Sequence, residues 1–169
     1  MRIGRRIAIV AGTAAVAVLT TPSLAHGLAI STPASVALGS APAGASSLSG
    51  QLGTITVTDS GTLFLLASFV ATVSATVFTT GSGSPSETIG KSSVFYWSGP
   101  ATASSGLQTP VPGQLLAANM QALSVSRTAF RSTGLVLSIS TSWNPTIVID
   151  IPDAAVAGTY SGTITHSVA

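Results

Sequence analysis

The chain has 169 residues, of which 46% are hydrophobic and only 6% are charged, and its formal net charge is +2. It contains no cysteine, which excludes disulfides and thiolate metal sites. Three of its six basic residues lie within the first six positions, so the remaining cations are too few and too scattered to neutralise the row of phosphates that nucleic-acid binding needs. The composition therefore excludes nucleic acid as a partner.

The N-terminus has the layout of a secretory signal peptide. Three arginines precede an uncharged apolar run over residues 7–19, which is shorter than the roughly 20 residues that span a hydrocarbon core. Ser23 and Ala25 are the small residues that signal peptidase selects, so we predict cleavage after Ala25, with Ala29 as the second choice. Cleavage is thus expected to remove residues 1–25 and to produce an exported mature chain. The arginine pair in the basic head leaves twin-arginine export open as an alternative route.

Residues 26–49 are rich in Ala, Ser, Pro and Gly and show no sustained hydrophobic period. We interpret them as a mostly extended lead-in to the domain that follows. Within this lead-in, residues 35–38 are predicted as a short edge strand, because Pro33 and Pro42 on either side exclude a central position in a sheet.

Apolar and hydroxyl side chains alternate repeatedly beyond the lead-in, which is the pattern of strands with one buried face. Residues 63–78 are the most hydrophobic of these stretches, but they are too few for a membrane helix and alternate with a period of two from Phe69 onward. Residues 115–123 are compatible with one or two helical turns, and residues 80–90 and 101–113 are predicted loops. The predicted strands cover residues 52–58, 63–78, 94–97, 123–130, 135–142, 146–151 and 159–168.

This order of elements predicts the fold class and the domain organisation. About seven strands joined by turns, with no long amphipathic helix, are typical of an antiparallel β-sandwich, immunoglobulin-like or related. Residues 50–169 are long enough to form one such domain behind the signal peptide and the lead-in.

Ionisable groups that could support catalysis are scarce. General acid and base catalysis needs two such groups in one pocket, and the only close pair of carboxylates is Asp150 and Asp153 at the end of a predicted strand. His166 lies in the last predicted strand, and the chain has no Gly-x-Ser-x-Gly motif to supply a nucleophile. His26 is at the opposite end of the chain, so no cluster of metal ligands is indicated. The sequence therefore predicts no catalytic residue, no metal site and no cofactor.

Aromatic side chains are better candidates for a binding site. Tyr96 and Trp97 precede a Ser-Gly-Pro turn, and Trp143 with Asn144 lies at a proline bend between two predicted strands. Rings at strand ends can stack on sugar faces or fill a pocket in a partner. Packing of the same rings in the core is the alternative for all three aromatic residues.

Four segments of the predicted domain carry a family resemblance: QLGTITVTDSGT, ASFVATVSATVF, VFYWSG and SWNPTIVIDIPDAAVAGTYSGTITHSV. In this order they resemble the WxL-like surface domains of Gram-positive bacteria, in particular stand-alone secreted domains of an actinobacterial type. The resemblance implies an all-β, exported protein that associates with the cell wall without covalent linkage and binds peptidoglycan. The two Trp-x-Leu motifs of the family would correspond to Phe69 with Ala71 and to His166 with Val168, so both motifs are degenerate here.

The expected function is that of a non-catalytic, secreted cell-surface protein that associates non-covalently with peptidoglycan or with other surface proteins. No stable membrane span is expected after signal cleavage. A fibre or adhesive assembly subunit, whose strands pair edge to edge, is the alternative. A wall-active hydrolase that depends on His166 or Asp150 is a further alternative.

Overall fold

The structure is a computed structural model of the chain, and it describes residues 6–11, 27–42, 44–60, 67–134 and 138–169. These residues form an all-β protein whose described strand pairs are antiparallel except for one, an arrangement compatible with a β-sandwich. Within the described residues the helical segments are short 3-10 turns: Pro85–Glu87, Lys91–Ser93 and Ala117–Asn119. In the same part of the chain, no helix has the length and apolar character that crossing a membrane requires.

The strands are short and number seventeen in the described residues. In chain order they are β1 (Arg6–Ala11), β2 (Leu28–Ser31), β3 (Val36–Pro42), β4 (Ser47–Gln51), β5 (Ile55–Asp59), β6 (Ala67–Ala75), β7 (Phe78–Thr79), β8 (Thr88–Ile89), β9 (Val94–Trp97), β10 (Ala101–Ser105), β11 (Gln108–Pro112), β12 (Gln121–Ala122), β13 (Arg127–Gly134), β14 (Ile139–Trp143), β15 (Thr146–Asp150), β16 (Thr159–Gly162) and β17 (Ile164–Val168).

Four sheets result from their pairing. Sheet 1 has the order β3-β1-β16-β7-β8, sheet 2 the order β10-β14-β5-β2, sheet 3 the order β11-β13-β6-β17, and sheet 4 the order β12-β9-β15-β4. Among the described pairs, β1 and β16 are parallel and the others are antiparallel.

Paired bends connect the sheets two by two. The chain passes between sheets 2 and 4 twice, once from β4 to β5 and once from β14 to β15, where Asn144 and Pro145 form the bend. The amide of Leu52 donates to the carbonyl of Pro145 at 2.9 Å, which ties the two bends together. Sheets 1 and 3 are joined in the same way, by a bend at Thr76 between β6 and β7 and a bend at Thr163 between β16 and β17. The Thr76 amide donates to the carbonyl of Thr163, and the Thr163 amide donates to Oγ1 of Thr76, both at 2.9 Å.

The core lies between these layers and is built from the alternating residues of each strand. Phe130 of sheet 3 stacks on Trp143 of sheet 2, with ring centroids 4.9 Å apart and planes inclined by 24°. Such pairs contribute about 0.5 to 1.5 kcal/mol beyond the area they bury. The largest fully buried side chains are Trp143, Tyr96, Tyr160, Phe69, Phe78, Phe130, Ile55, Ile89, Leu123, Ile139 and Ile147.

Several predicted strands agree with the observed ones. The predicted strand 94–97 coincides with β9, and the predicted strand 146–151 differs from β15 by its last residue only. The predicted edge strand of the lead-in corresponds to β3, which lies at the edge of sheet 1. The predicted strand 159–168 is interrupted at Thr163 and contributes to two sheets, because the chain bends there between sheets 1 and 3.

Other predictions are corrected by the structure. About seven strands are predicted, whereas the described residues form seventeen shorter ones. The predicted loop 80–90 contains β8, the predicted loop 101–113 contains β10 and β11, and the lead-in contains β2, β3 and the first residues of β4. Residues 123–126 precede β13 instead of forming its first half, and a single 3-10 turn replaces the helical turns over residues 115–123. The missed strand β10 is almost entirely exposed, so it has no buried face that could produce an apolar alternation. Residues 63–66 and 135–137 of two predicted strands lie outside the described residues.

Strand β1 falls within the predicted signal peptide. It pairs with β3 on one side and with β16 on the other, in sheet 1. Residues 1–5 and 12–26, which include the predicted cleavage site, lie outside the described residues. Cleavage after Ala25 therefore stays a prediction, and one consequence is that it would remove the strand between β3 and β16.

Candidate functional site

A hydrogen-bonded group of three side chains links sheets 2, 3 and 4 in the core. The indole N–H of Trp143 donates to the hydroxyl of Tyr96 at 3.2 Å, and that hydroxyl lies 3.2 Å from Nε2 of His166. Because the Tyr96 oxygen accepts from the indole, its own proton is available to His166. Each ring thus brings its polar atom to a partner inside the core, as buried polar groups require.

Burial keeps two members of this group uncharged. Removal from water lowers the pKa of His166 to about 4. The same cause raises the pKa of the Tyr96 hydroxyl, and its hydrogen bond from Trp143 only partly opposes this. His166 is only 2% exposed and forms no described hydrogen bond to a carboxylate or a serine in the part of the chain that the structure covers. The arrangement is therefore suited to packing and not to proton transfer with a substrate.

Two of the predicted ligand contacts belong to this buried group. Tyr96 and Trp143 have no exposed surface, so the structure assigns both rings to the core and not to a partner. Tyr96 alternates with the outward residues of β9, and Trp143 shares the inward face of β14 with Ile139 and Thr141. The bend after Trp143, formed by a half-buried Asn144 and a buried Pro145, does not turn the ring towards solvent.

The positions of the degenerate Trp-x-Leu motifs lie together on neighbouring strands. Phe69 and Ala71 belong to β6, His166 and Val168 belong to β17, and Ala71 is the direct register partner of Val168. All four side chains are buried. These positions contribute to the core of sheet 3 and present no surface to a ligand.

The outward side of sheet 4 presents a different set of residues, which we call the outer face. In β9 the side chains of Val94 and Tyr96 are buried, so those of Phe95 and Trp97 point the opposite way and are half-buried. Directly paired residues of antiparallel strands share a face. Two rows follow from the register: Trp97, Thr146 and Gln51 form one, and Ala122, Phe95, Val148 and Ser49 form the other.

Met120 extends the first row on the side of β12. The next residue, Gln121, pairs with Tyr96, so Met120 comes opposite Trp97 when the register is continued by one position. The backbone of Met120 is extended, with φ of −56° and ψ of 145°, which continues the strand direction. Its side chain is 43% exposed.

A well-anchored loop borders the outer face beside Trp97. The indole ring lies next to Gly99, where a Cβ atom would be 3.7 Å from Cζ3. The Gly99 amide and the Ser98 hydroxyl both donate to the carbonyl of Gln114 at 3.0 Å, and the Gln114 amide donates back to the Ser98 hydroxyl at 3.1 Å. The residues that follow Gln114 therefore begin at the edge of the face.

The opposite side of the outer face, towards β4, is polar. Asn144 is half-buried and its Nδ2 donates to Oε1 of Gln51 at 3.1 Å. Oδ1 of the same Asn144 side chain is buried and has no hydrogen-bond partner among the described residues. The hydroxyls of Thr146 and Ser49 lie along the same side. Hydroxyl and amide groups are thus concentrated opposite the aromatic residues.

Charged side chains lie at the margin of the outer face, where Arg127 donates from Nε to the backbone carbonyl of Ala122 at 3.1 Å. None of Met120, Trp97, Thr146, Gln51, Ala122, Phe95, Val148 and Ser49 is ionisable as an acid or a base at neutral pH. The nearest acid of sheet 4 is Asp150, exposed at the end of β15 opposite Ser47. In the described residues, no group of three or more side chains could hold a metal ion.

The sequence identified Trp97 and Asn144 of this site. Phe95, Met120 and the polar residues Gln51, Ser49 and Thr146 were missed. Phe95 could have been found from the two-residue period that it shares with Trp97. The partners on β12, β15 and β4 required the register. A comparison of the chain with protein-family models and with curated proteins finds no match. The resemblance to WxL domains therefore stays a prediction.

Proposed function

We propose that this protein is a non-catalytic, exported cell-surface protein that binds glycan chains of the cell wall, peptidoglycan in the first instance, through the outer face of sheet 4. The observation that supports the proposal best is the pairing of two outward aromatic rings, Phe95 and Trp97, with a row of hydroxyl and amide groups on the same sheet.

The chemistry of the face fits a sugar chain. Aromatic rings bury the C–H face of a pyranose, and hydroxyl and amide groups exchange hydrogen bonds with its hydroxyls. Phe95 and Trp97 are two residues apart in a strand, about 6.8 Å along its axis, so a chain of linked sugars can cover both rings. The absence of charge from the eight residues of the face favours contacts with uncharged sugar rings.

Co-sedimentation with insoluble peptidoglycan tests the proposal. We expect Trp97→Ala and Phe95→Ala each to lower the bound fraction at least fivefold, because each removes one ring of the platform. The matched control is Leu107→Ala, which removes a 68% exposed apolar side chain between β10 and β11, away from sheet 4. Near-ultraviolet circular dichroism of the buried Trp143 verifies the fold of each variant. Undiminished binding by both ring variants would contradict the proposal.

A second candidate is an assembly subunit, and the position of β1 favours it. If cleavage after Ala25 removes β1, then β3 and β16 lose the strand that pairs with both of them. Neither β3 nor β16 contains a charged residue, and charges on an edge strand are a common protection against pairing between chains. We expect the cleaved chain, but not the full chain, to self-associate in sedimentation experiments at high concentration. Monomers in both cases would remove this candidate.

A further inference from the structure

The outer face has a gradient of polarity across its strands. The side formed by β12 and β9 carries Met120, Trp97, Ala122 and Phe95, whereas the side formed by β4 carries Gln51 and Ser49. A ligand that matches the whole face must therefore be polar at one end and apolar at the other.

The apolar side continues into the loop anchored by Gln114. Leu115 and Leu116 follow that anchor directly, and their side chains are 49% and 59% exposed. The loop contains a hydrogen-bonded 3-10 turn, in which the amide of Asn119 donates to the carbonyl of Leu116 at 2.8 Å and the amide of Met120 donates to that of Ala117 at 3.1 Å.

Exposed apolar side chains on an ordered loop are a recognised mark of a binding surface. Three of them, Leu115, Leu116 and Met120, lie within one turn and its flanks, and residues 113–126 contain no charge. The segment that carries them begins at Gln114, which is hydrogen-bonded to Gly99 beside the Trp97 ring, and ends at Met120, opposite Trp97 in the register, so it borders the aromatic part of the outer face. A sugar chain alone would leave this apolar extension in water.

We infer that the ligand of the outer face is an amphiphilic glycan, in which an acyl or alkyl chain is attached to sugar units. The sugars lie over Trp97 and Phe95 and form hydrogen bonds with Gln51 and Thr146. The aliphatic chain crosses Met120 and covers Leu116. This inference rests on the proposed glycan-binding function and adds the class of glycan to it.

Titration of the full chain with three soluble probes tests the inference. The probes are maltose, dodecyl maltoside below its critical micelle concentration, and dodecylphosphocholine under the same limit. Binding is followed by tryptophan fluorescence, since Trp97 is half-buried at the face and the second tryptophan, Trp143, is buried. We expect dodecyl maltoside to bind at least about 30-fold more tightly than maltose, because each buried methylene group contributes roughly fourfold. Dodecylphosphocholine, which lacks sugars, is expected to bind more weakly than dodecyl maltoside.

Variants separate the two parts of the ligand. The double variant Leu115→Ser with Leu116→Ser, at two residues outside the outer face, should reduce dodecyl maltoside affinity about tenfold and leave the affinity for maltose unchanged. Leu107→Ser, a change at a leucine that is 68% exposed and lies away from sheet 4, should alter neither. Because these side chains are exposed, the substitutions leave the core intact, and circular dichroism verifies this.

The possible failures are distinguishable. If wall glycan is bound but the alkyl chain adds no affinity, the inference is wrong while the proposed function stands. If dodecylphosphocholine binds as tightly as dodecyl maltoside, the surface recognises any apolar chain, and the inference is also wrong. If neither dodecyl maltoside nor wall glycan is bound, the proposed function fails as well.

Discussion

The indole N–H of Trp143 donates to the hydroxyl of Tyr96 at 3.2 Å, across two sheets and 47 positions of the chain. The same hydroxyl is 3.2 Å from His166, so one oxygen atom satisfies two buried rings. A buried polar group that loses such a partner lowers the stability of the fold, because its removal from water is no longer offset by a hydrogen bond. This relationship predicts that the core depends on a single phenolic oxygen.

Tyr96→Phe is expected to lower the free energy of unfolding by about 1 to 3 kcal/mol, because it leaves the Trp143 N–H and His166 Nε2 unpartnered. Urea denaturation measures the change. Tyr160→Phe is the matched control: its hydroxyl donates to the carbonyls of Ser86 or Val156 in a less enclosed position, so the loss should be smaller. A Tyr96→Phe variant as stable as the wild type would show that the hydrogen bonds of the Tyr96 hydroxyl do not contribute to the free energy of unfolding.

His166 should make the stability depend on pH. Burial lowers its pKa to about 4 in the folded state, from an ordinary value of 6.5, so the unfolded chain binds the proton first. The contribution to stability is complete above pH 6.5 and is lost as the pH falls towards 4, by about 3 kcal/mol in all. Urea denaturation at several pH values measures this slope. His166→Gln, which keeps an amide near Tyr96, should remove that part of the slope, and an unchanged slope would contradict the assignment.

Truncation of the two tryptophans should lower the stability to very different extents. Trp143→Ala removes a fully buried ring stacked on Phe130 and is expected to cost about 3 to 5 kcal/mol. Trp97→Ala removes a half-buried ring on the outer face and should cost about 1 kcal/mol or less. Thermal denaturation of both variants decides this. Equal losses would mean that Trp97 is a core residue and not a surface contact.

The strand pattern also bears on the predicted cleavage site. Cleavage after Ala25 leaves β2 whole, whereas cleavage after Ala29 removes its first two residues and leaves Ile30 at the new terminus. Ile30 is buried and pairs with Val57, so the shorter product would lose part of sheet 2. We therefore expect mass spectrometry of the exported protein to show His26 as the first residue. A mature chain that starts at Ile30, or that retains residues 1–25, would contradict this prediction.

The all-β class was predictable because strands with one buried face leave an alternating pattern in the sequence. β15 was located almost to the residue because its isoleucines alternate with other residues, and β9 was located as a short aromatic run closed by the Ser98-Gly99-Pro100 turn. β10, with the sequence ATASS, was missed because nearly all of it is exposed. No local pattern distinguishes such a strand from a loop.

The candidate site was only partly predictable for a related reason. In β9 both alternating sets are apolar, Val94 with Tyr96 and Phe95 with Trp97, so the sequence does not indicate which set faces the core. The packing of the sheets places Val94 and Tyr96 in the core, so Tyr96 is not the ligand contact that was predicted. Gln51 and Thr146 lie side by side because β4 pairs with β15, although these two strands are far apart in the sequence. Only the register brings these residues together.

The proposed function requires that the outer face of sheet 4 binds wall glycan through Phe95 and Trp97. Co-sedimentation of the wild type and the Phe95→Ala, Trp97→Ala double variant with peptidoglycan, at low salt and at about 0.5 M NaCl, tests it most directly. Because the side chains of the face are uncharged and salt screens only charge pairs, we expect wild-type binding to change little with salt. We expect the double variant not to bind. Binding that disappears at high salt, or that the double variant retains, would contradict it.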